Sequence, residues 1–343
     1  MRAVCQGPRG AGCRWPAAWG LSLWLLAWGV GRAGPVTAAF PEEKTFFVRA
    51  WRVEDGTPAN TVVGVARRPD GYLWVATRTG LFRFDGENFQ PCPQVSAAAL
   101  PGLMVPVMLR DRRNRLWLAK DRGAMACVDG AATRVFTIRD GLPDLQPVSM
   151  AEDGEGAIWI SYAAGPLYQI KDARVQPCEA TAGMSGQEAS WLIADRQGQI
   201  WFARGGGVGV LRAGRFATLL TLEQPALRLA AARGGGVWLS DGQKVWKFKE
   251  GGKLELLGRI PAGQVKLLRE DQPGRLWAAV ALEGPLGGLF CHEGGDFKRV
   301  PISCTAVVSL SDDREGNLWV GTLGAGLLQV RPRAVELVNP LLA

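Results

Sequence analysis

The sequence predicts an all-β chain: a seven-bladed β-propeller of four-stranded antiparallel blades, closed by an N-terminal strand that completes the last blade. Three observations carry this. A tryptophan recurs at Trp74, Trp117, Trp159, Trp201, Trp238, Trp277 and Trp319, at intervals of 43, 42, 42, 37, 39 and 42 residues. Each sits in one phrase, a Gly or Asn turn followed by a short alternating run, as in GYLWVAT, NRLWLAK and GNLWVGT. A further phrase, WRVEDGTP at 51–58, matches FTIRDGLP at 136–143, and in both the next repeat Trp lies sixteen residues beyond the Pro. A period near forty with four short runs per unit marks propeller blades, and no helical apolar spacing runs through the unit.

The chain opens on different material. Arg2, Arg9 and Arg14 precede an uncharged run over 16–30, and Val36, Thr37, Ala38 and Ala39 supply small residues. Residues 1–39 read as a secretory signal peptide cut just before Ala39 or Phe40. The competing reading is an uncleaved anchor, the only membrane contact expected; the run falls short of the about 20 residues a spanning helix needs. An exported protein, periplasmic or extracellular, is expected. The +8 charge of the whole chain falls to +4 without Arg2, Arg9, Arg14 and Arg32. With no Lys/Arg run in the remainder, no nucleic-acid partner is expected.

The propeller is expected over 40–333. Residues 46–53 form a displaced outer strand. In the first blade the strands run over 61–67, 72–77, 81–85 and 88–92, designated a to d. Gly stands three before the Trp in six copies (Gly71, Gly156, Gly198, Gly235, Gly274, Gly316) and Asn114 in the other. Both types tolerate the left-handed conformation of a tight hairpin. Asp stands six before the Trp at Asp111, Asp153, Asp195, Asp271 and Asp313. These read as acceptors for turn amides rather than a catalytic series. The seven Trp side chains, at about 150–250 Å² each, read as inter-blade core. The last blade, 305–331, supplies strands a to c only, so the N-terminal strand should pair beside 326–330 and hide both edges. Residues 334–343 are a short tail.

The composition agrees: 45 Gly suit a turn-dense chain, and 47% hydrophobic residues suffice for a large core. Five cysteines follow the leader (Cys92, Cys127, Cys178, Cys291, Cys304), an odd number with no CxxC. Unpaired, buried thiols are expected, with no metal and no cofactor.

These residues resemble a known family. DGYLWVATRTGLFRFDGENF, the DG(L/T)P segments and DREGNLWVGTLGAGLLQV are similar to the propeller repeats of two-component regulators. In bacteria such repeats form the extracytoplasmic sensing part of histidine kinases and hybrid regulators. The resemblance spans about 45–333, and is weaker in the middle blades, where Ser161, Ala203 and Ser240 replace the Thr of Thr77 and Thr322. It implies a sensor. The usual immunoglobulin-like module, membrane helix and kinase are not expected here, so a separate membrane signalling protein is an expected partner.

No catalytic residue is expected. His292 is the chain's one histidine, and adjacent Cys291 should point to the opposite face of its strand. The runs Gly205–Gly207 and Gly234–Gly236 lack the Gly-Lys-Ser/Thr of a phosphate loop. By analogy of fold, ligands enter at the channel mouth formed by b–c and d–a loops. The candidate residues there are Arg78, Lys120, Asp121, Arg122, Tyr162, Arg204, Asp241 and Glu283, which suit a polar small molecule or an oligosaccharide. The expected function is an exported, non-enzymatic ligand sensor. The alternatives are a propeller enzyme acting on a glycan or lactone, lyase- or glycosidase-like, and a protein–protein interaction module of an envelope complex.

Overall fold

The computed structural model describes residues 46–93, 107–120, 122–163, 165–178, 190–212, 215–224, 227–261, 263–282, 287–293 and 295–333. The leader and tail assigned to 1–39 and 334–343 lie outside them. Seven four-stranded antiparallel sheets follow one another, each in the order a-b-c-d. The inner strands are Val62–Arg67, Val107–Arg110, Pro147–Glu152, Trp191–Ala194, Arg228–Ala231, Gln264–Glu270 and Ala306–Asp312, in blades one to seven. Each touches the inner strand of the next blade, and blade seven touches blade one. The seven-bladed ring read from the sequence is the observed fold.

Closure also follows the sequence. Phe46–Trp51 pairs antiparallel with Leu327–Pro332, in a register running from Phe46↔Pro332 to Trp51↔Leu327. The strand ends on Trp51, whose ring lies 5.2 Å from Phe84 of blade one and 5.4 Å from Trp319 of blade seven. Beyond it, Val53–Asp55 makes a single 3-10 turn: Asp55 accepts from Arg52 N at 3.0 Å, and Gly56 follows at φ +88°. The matching phrase does the same at Ile138–Asp140, where Asp140 accepts from Thr137 N at 2.8 Å and Gly141 has φ +100°. One local device therefore turns the outer strand inward at both places.

The a–b hairpins explain the tryptophan phrase. All seven residues three before the Trp have positive φ, from +64° at Asn114 to +95° at Gly274. The five aspartates accept from the turn amides, for example Ala157 N to Asp153 at 2.9 Å. They also accept from the indole Nε1 of their own Trp, at 2.9 Å in blade two, 2.7 Å in three, 3.1 Å in four, and 2.8 Å in six and seven. The indole bond is what fixes the six-residue spacing. A buried ring with an unpaired N–H would be costly, and all seven rings are 8% exposed or less. Blade five has Ala232 in place of the Asp, and Trp238 Nε1 donates instead to Glu270 of blade six at 2.8 Å.

Apolar faces of neighbouring sheets form the core between the blades. Inner strands also bulge early in blades one, three, six and seven. After two of these bulges a serine reaches the next blade: Ser149 Oγ accepts from Leu192 N at 2.8 Å, and Ser309 Oγ accepts from Val65 N at 2.9 Å. The second bond crosses the closing joint.

Candidate functional site

All seven inner strands line a central cavity of about 620 Å³. This is the size range of ligand pockets, about 300–1,000 Å³. Its wall runs from Gly64, Val107 and Val148, early in their strands, to Arg110, Glu152 and Arg269 where those strands run out. The inner strands run toward the a–b turns, so the charged end of the cavity is the a–b mouth. Arg112, Arg196 and Arg233, inside the turns, complete that rim.

Carboxylates on the rim are occupied by the protein itself. Glu152 accepts from Arg112 N at 2.7 Å, and Glu270 from Arg233 N at 2.6 Å. Asp312 accepts from Gln272 N at 3.1 Å and from Arg269 Nε at 2.7 Å. In each case a carboxylate near the inner-strand end clamps the a–b turn of the preceding blade. Burial raises the Glu152 carboxyl above its ordinary value, and Asp111 nearby adds to the rise against the Arg112 hydrogen bond.

The opposite mouth, formed by d–a and b–c loops, is built differently. Trp191 begins the inner strand of blade four, and the Arg228 guanidinium of blade five lies 4.9 Å over its ring. Arg228 Nε donates to Lys266 O of blade six at 3.1 Å, so three blades are tied across this end. The Thr closing strand b caps the b–c turn in two blades. Thr77 Oγ1 accepts from Thr79 N at 3.1 Å, and Thr322 Oγ1 accepts from Ala325 N at 3.1 Å while donating to Gly326 O at 2.7 Å.

Of the residues proposed from the sequence for the b–c face, the six that are described do not line the cavity. Arg78 and Arg122 are exposed and Lys120 half-buried. Asp241 accepts from Gln243 N and Lys244 N in its own turn, at 3.0 and 2.8 Å. Tyr162 is not at a loop tip: it ends strand Ile158–Tyr162, is buried, and packs edge-on to Tyr168 at 5.6 Å. Burial raises its phenol well above the ordinary value. Arg204 ends its strand buried and donates to Gly165 O of blade three at 3.3 Å. Asp121 and Glu283 lie outside the described residues. The a–b rim was missed, although its signal was in the repeat: Arg112, Arg196, Arg233 and Arg314 each stand five before their Trp.

Elsewhere the chemistry is muted. Among the described residues Cys92, Cys127, Cys291 and Cys304 form no disulfide and are buried, and Cys178 is half-buried. Burial pushes Cys92 and Cys127 up to about 11 and Cys291 up to about 12, which suppresses thiolate formation. His292 lies in an outer hairpin, its Nε2 3.0 Å from Gly295 O and its ring 5.0 Å from Phe297. Among the described residues no cluster of His, Cys, Asp and Glu could hold a metal, and no helix is long and apolar enough to cross a membrane.

Fold and cavity together define a seven-bladed propeller with a ligand-sized central channel. The model of the two component regulator propeller family matches residues 301–324, which contain strands a and b of blade seven. No curated protein matches the chain in sequence. Among solved structures, the chain is similar to the extracellular domain assigned to a hybrid two component system of B. thetaiotaomicron, BT3049. That likeness has 19% identity and a TM-score of 0.64, and covers 83% of this chain and 41% of that one. It is also similar to virginiamycin B lyase from Staphylococcus aureus, in a catalytically inactive histidine-to-alanine variant with quinupristin. There the identity is 12% and the TM-score 0.69, with 84% of this chain and 100% of that one covered. At these identities the structural likenesses show the fold alone.

Proposed function

We propose that the chain is an exported, non-enzymatic ligand-sensing propeller, serving two-component signalling as its extracytoplasmic sensor and passing its signal to a membrane partner. The observation that carries this reading is the central cavity, ligand-sized and reached by all seven blades. The regulator repeat in blade seven and the likeness to an extracellular two-component domain support it.

The lyase reading draws support from the likeness to virginiamycin B lyase, and one observation weighs against it. The inactive variant of that lyase lost a histidine, whereas the single histidine here belongs to an outer hairpin away from the cavity wall. The test is a melting and turnover screen of the purified chain against polar metabolites, oligosaccharides and cyclic depsipeptide lactones. A ligand-dependent rise in melting temperature without conversion is expected. Conversion of a lactone or glycan, abolished by one substitution in the cavity, would replace the sensor with an enzyme. Capture of an envelope protein with no small-molecule response would favour the interaction module.

A further inference from the structure

The a–b mouth gathers more cations than its own carboxylates neutralise. Arg67 and Arg110 end their inner strands, and Arg269 stands one residue before the end of its own. Arg112, Arg196, Arg233 and Arg314 stand two residues past theirs. Every blade except the third thus sends an arginine to this rim. Among the described residues of this rim, only Arg269 is matched by an ion pair, with Asp312. Glu152, Glu270 and Asp312 are each held by backbone N–H groups of the preceding turn, and Asp195 by its own turn and Trp201. Among the described residues, Arg67, Arg110, Arg112, Arg196 and Arg314 make no ion pair.

Like charges converge most closely on Arg110. Burial strips part of its hydration and lowers its pKa, Arg67, Arg269 and Arg314 add repulsion, and Asp111 opposes them. The Arg110 Nη1 donates to Asn114 Oδ1 at 2.9 Å, and Arg110 lines the cavity. Arg112, Arg196 and Arg233 also line the cavity. These cations stand on blades two, four and five, spread around the rim, so a single oxyanion does not reach them all. A ligand with several separated anionic groups does, and planar guanidinium forks suit phosphate and carboxylate oxygens.

We propose that the a–b mouth of the channel binds a multivalent anion, a ligand carrying two or more phosphate or carboxylate groups, through Arg110, Arg112, Arg196 and Arg233, with its body in the central cavity. This rests on the ligand-sensing reading and supplies its ligand class and face. Binding relieves the repulsion within the rim, so the same contacts stabilise ring and complex together.

Titration calorimetry of the purified full chain tests it with tripolyphosphate and citrate as probes and maltotriose as a neutral control. Saturable one-to-one binding of at least one anion is expected, weakening as salt rises. Arg110→Ala and Arg196→Ala should each weaken it about ten- to a hundredfold without lowering the unliganded melting temperature. Arg78→Ala at the other mouth should leave affinity unchanged. A preference for tripolyphosphate identifies phosphate chemistry, and a preference for citrate identifies carboxylate chemistry. Absence of anion binding, or binding indifferent to both rim substitutions, overturns the proposal. Maltotriose binding that survives the rim substitutions, without anion binding, would remove the anion site and keep the sensor; no response to any small molecule in this or the broader screen would remove both.

Discussion

The two ends of the channel are built by opposite rules. At the a–b mouth one turn recurs, with a positive-φ residue three before the tryptophan and, in five blades, an aspartate tied to turn amides and indole. At the d–a and b–c mouth no one solution runs round the ring: a Trp191–Arg228 stack serves one joint, a threonine cap two blades, and a 3-10 turn follows strand d at two places. The repeated turn constrains the backbone and leaves the residue just after the aspartate free to vary. That position holds Arg112, Arg196 and Arg314 in three of the five clipped blades. The more uniform mouth therefore carries the more concentrated charge.

If ring closure belongs to the individual side, its largest weakness should be there. Trp51 is buried between the first and last blades, so Trp51→Ala removes the ring that contacts both. A loss of about 3–5 kcal/mol is expected in chemical denaturation. Deleting residues 46–53 should do more and destroy cooperative unfolding. A deletion variant that melts like the parent would show that closure does not depend on this strand.

The clip and the cap compare the two mouths directly. Asp271 is buried and accepts from Arg275 N, Arg275 Nε and Trp277 Nε1. Asp271→Ala strands these donors and should cost about 3 kcal/mol. Thr322→Val removes one hydroxyl that serves Gly326 O and Ala325 N, and should cost about 1–2 kcal/mol. Equal costs would mean that the a–b turns are no more tightly specified than the b–c turns.

The ring was legible in the sequence because its determinants are local and periodic. A positive-φ turn, a buried indole and a carboxylate six residues away all lie within one hairpin, and the seven copies count themselves. Closure was legible because WRVEDGTP and FTIRDGLP make the same turn. The rim was legible only in part: the arginines recur five before the Trp, but the contact of Arg112 N with Glu152 crosses some forty residues and a blade boundary. Tyr162 and Arg204 misled for the related reason that a residue at the end of strand b is loop-like in sequence and buried by its neighbouring blade. The b–c face was assigned by fold analogy, and the described residues named for it lie off the cavity wall.

Turn packing offers a finer comparison. Gly198 and Gly71 occupy the same turn position at φ +84° and +91°. A Cβ on Gly198 would lie 2.7 Å from Gly154 Cα of the neighbouring turn, while a Cβ on Gly71 meets nothing within 4 Å. Gly71→Ala should cost about 1 kcal/mol for the backbone alone. Gly198→Ala should cost about 2–3 kcal/mol, since it also pushes the turns apart. Matching melting shifts for the pair would mean that adjacent a–b turns do not bear on one another.

The smallest effect concerns charge within the rim. The Glu152 carboxyl is raised above its ordinary value, so folding holds its proton more tightly than the unfolded chain does. Its contribution to stability therefore falls as pH rises from the unfolded carboxyl's range through the raised value, and stays lowered above it. Glu152→Gln keeps an acceptor for Arg112 N and removes the titration. Relative to the parent, its melting temperature should improve as pH rises through that window and then level off. The substitution also removes one negative charge from a rim already rich in arginine, so anion affinity should rise by a few-fold at neutral pH and converge on the parent's at acidic pH, where Glu152 is protonated in both states of ligation. A variant whose stability offset and anion affinity are flat against pH would place the Glu152 charge outside the energetics of that mouth.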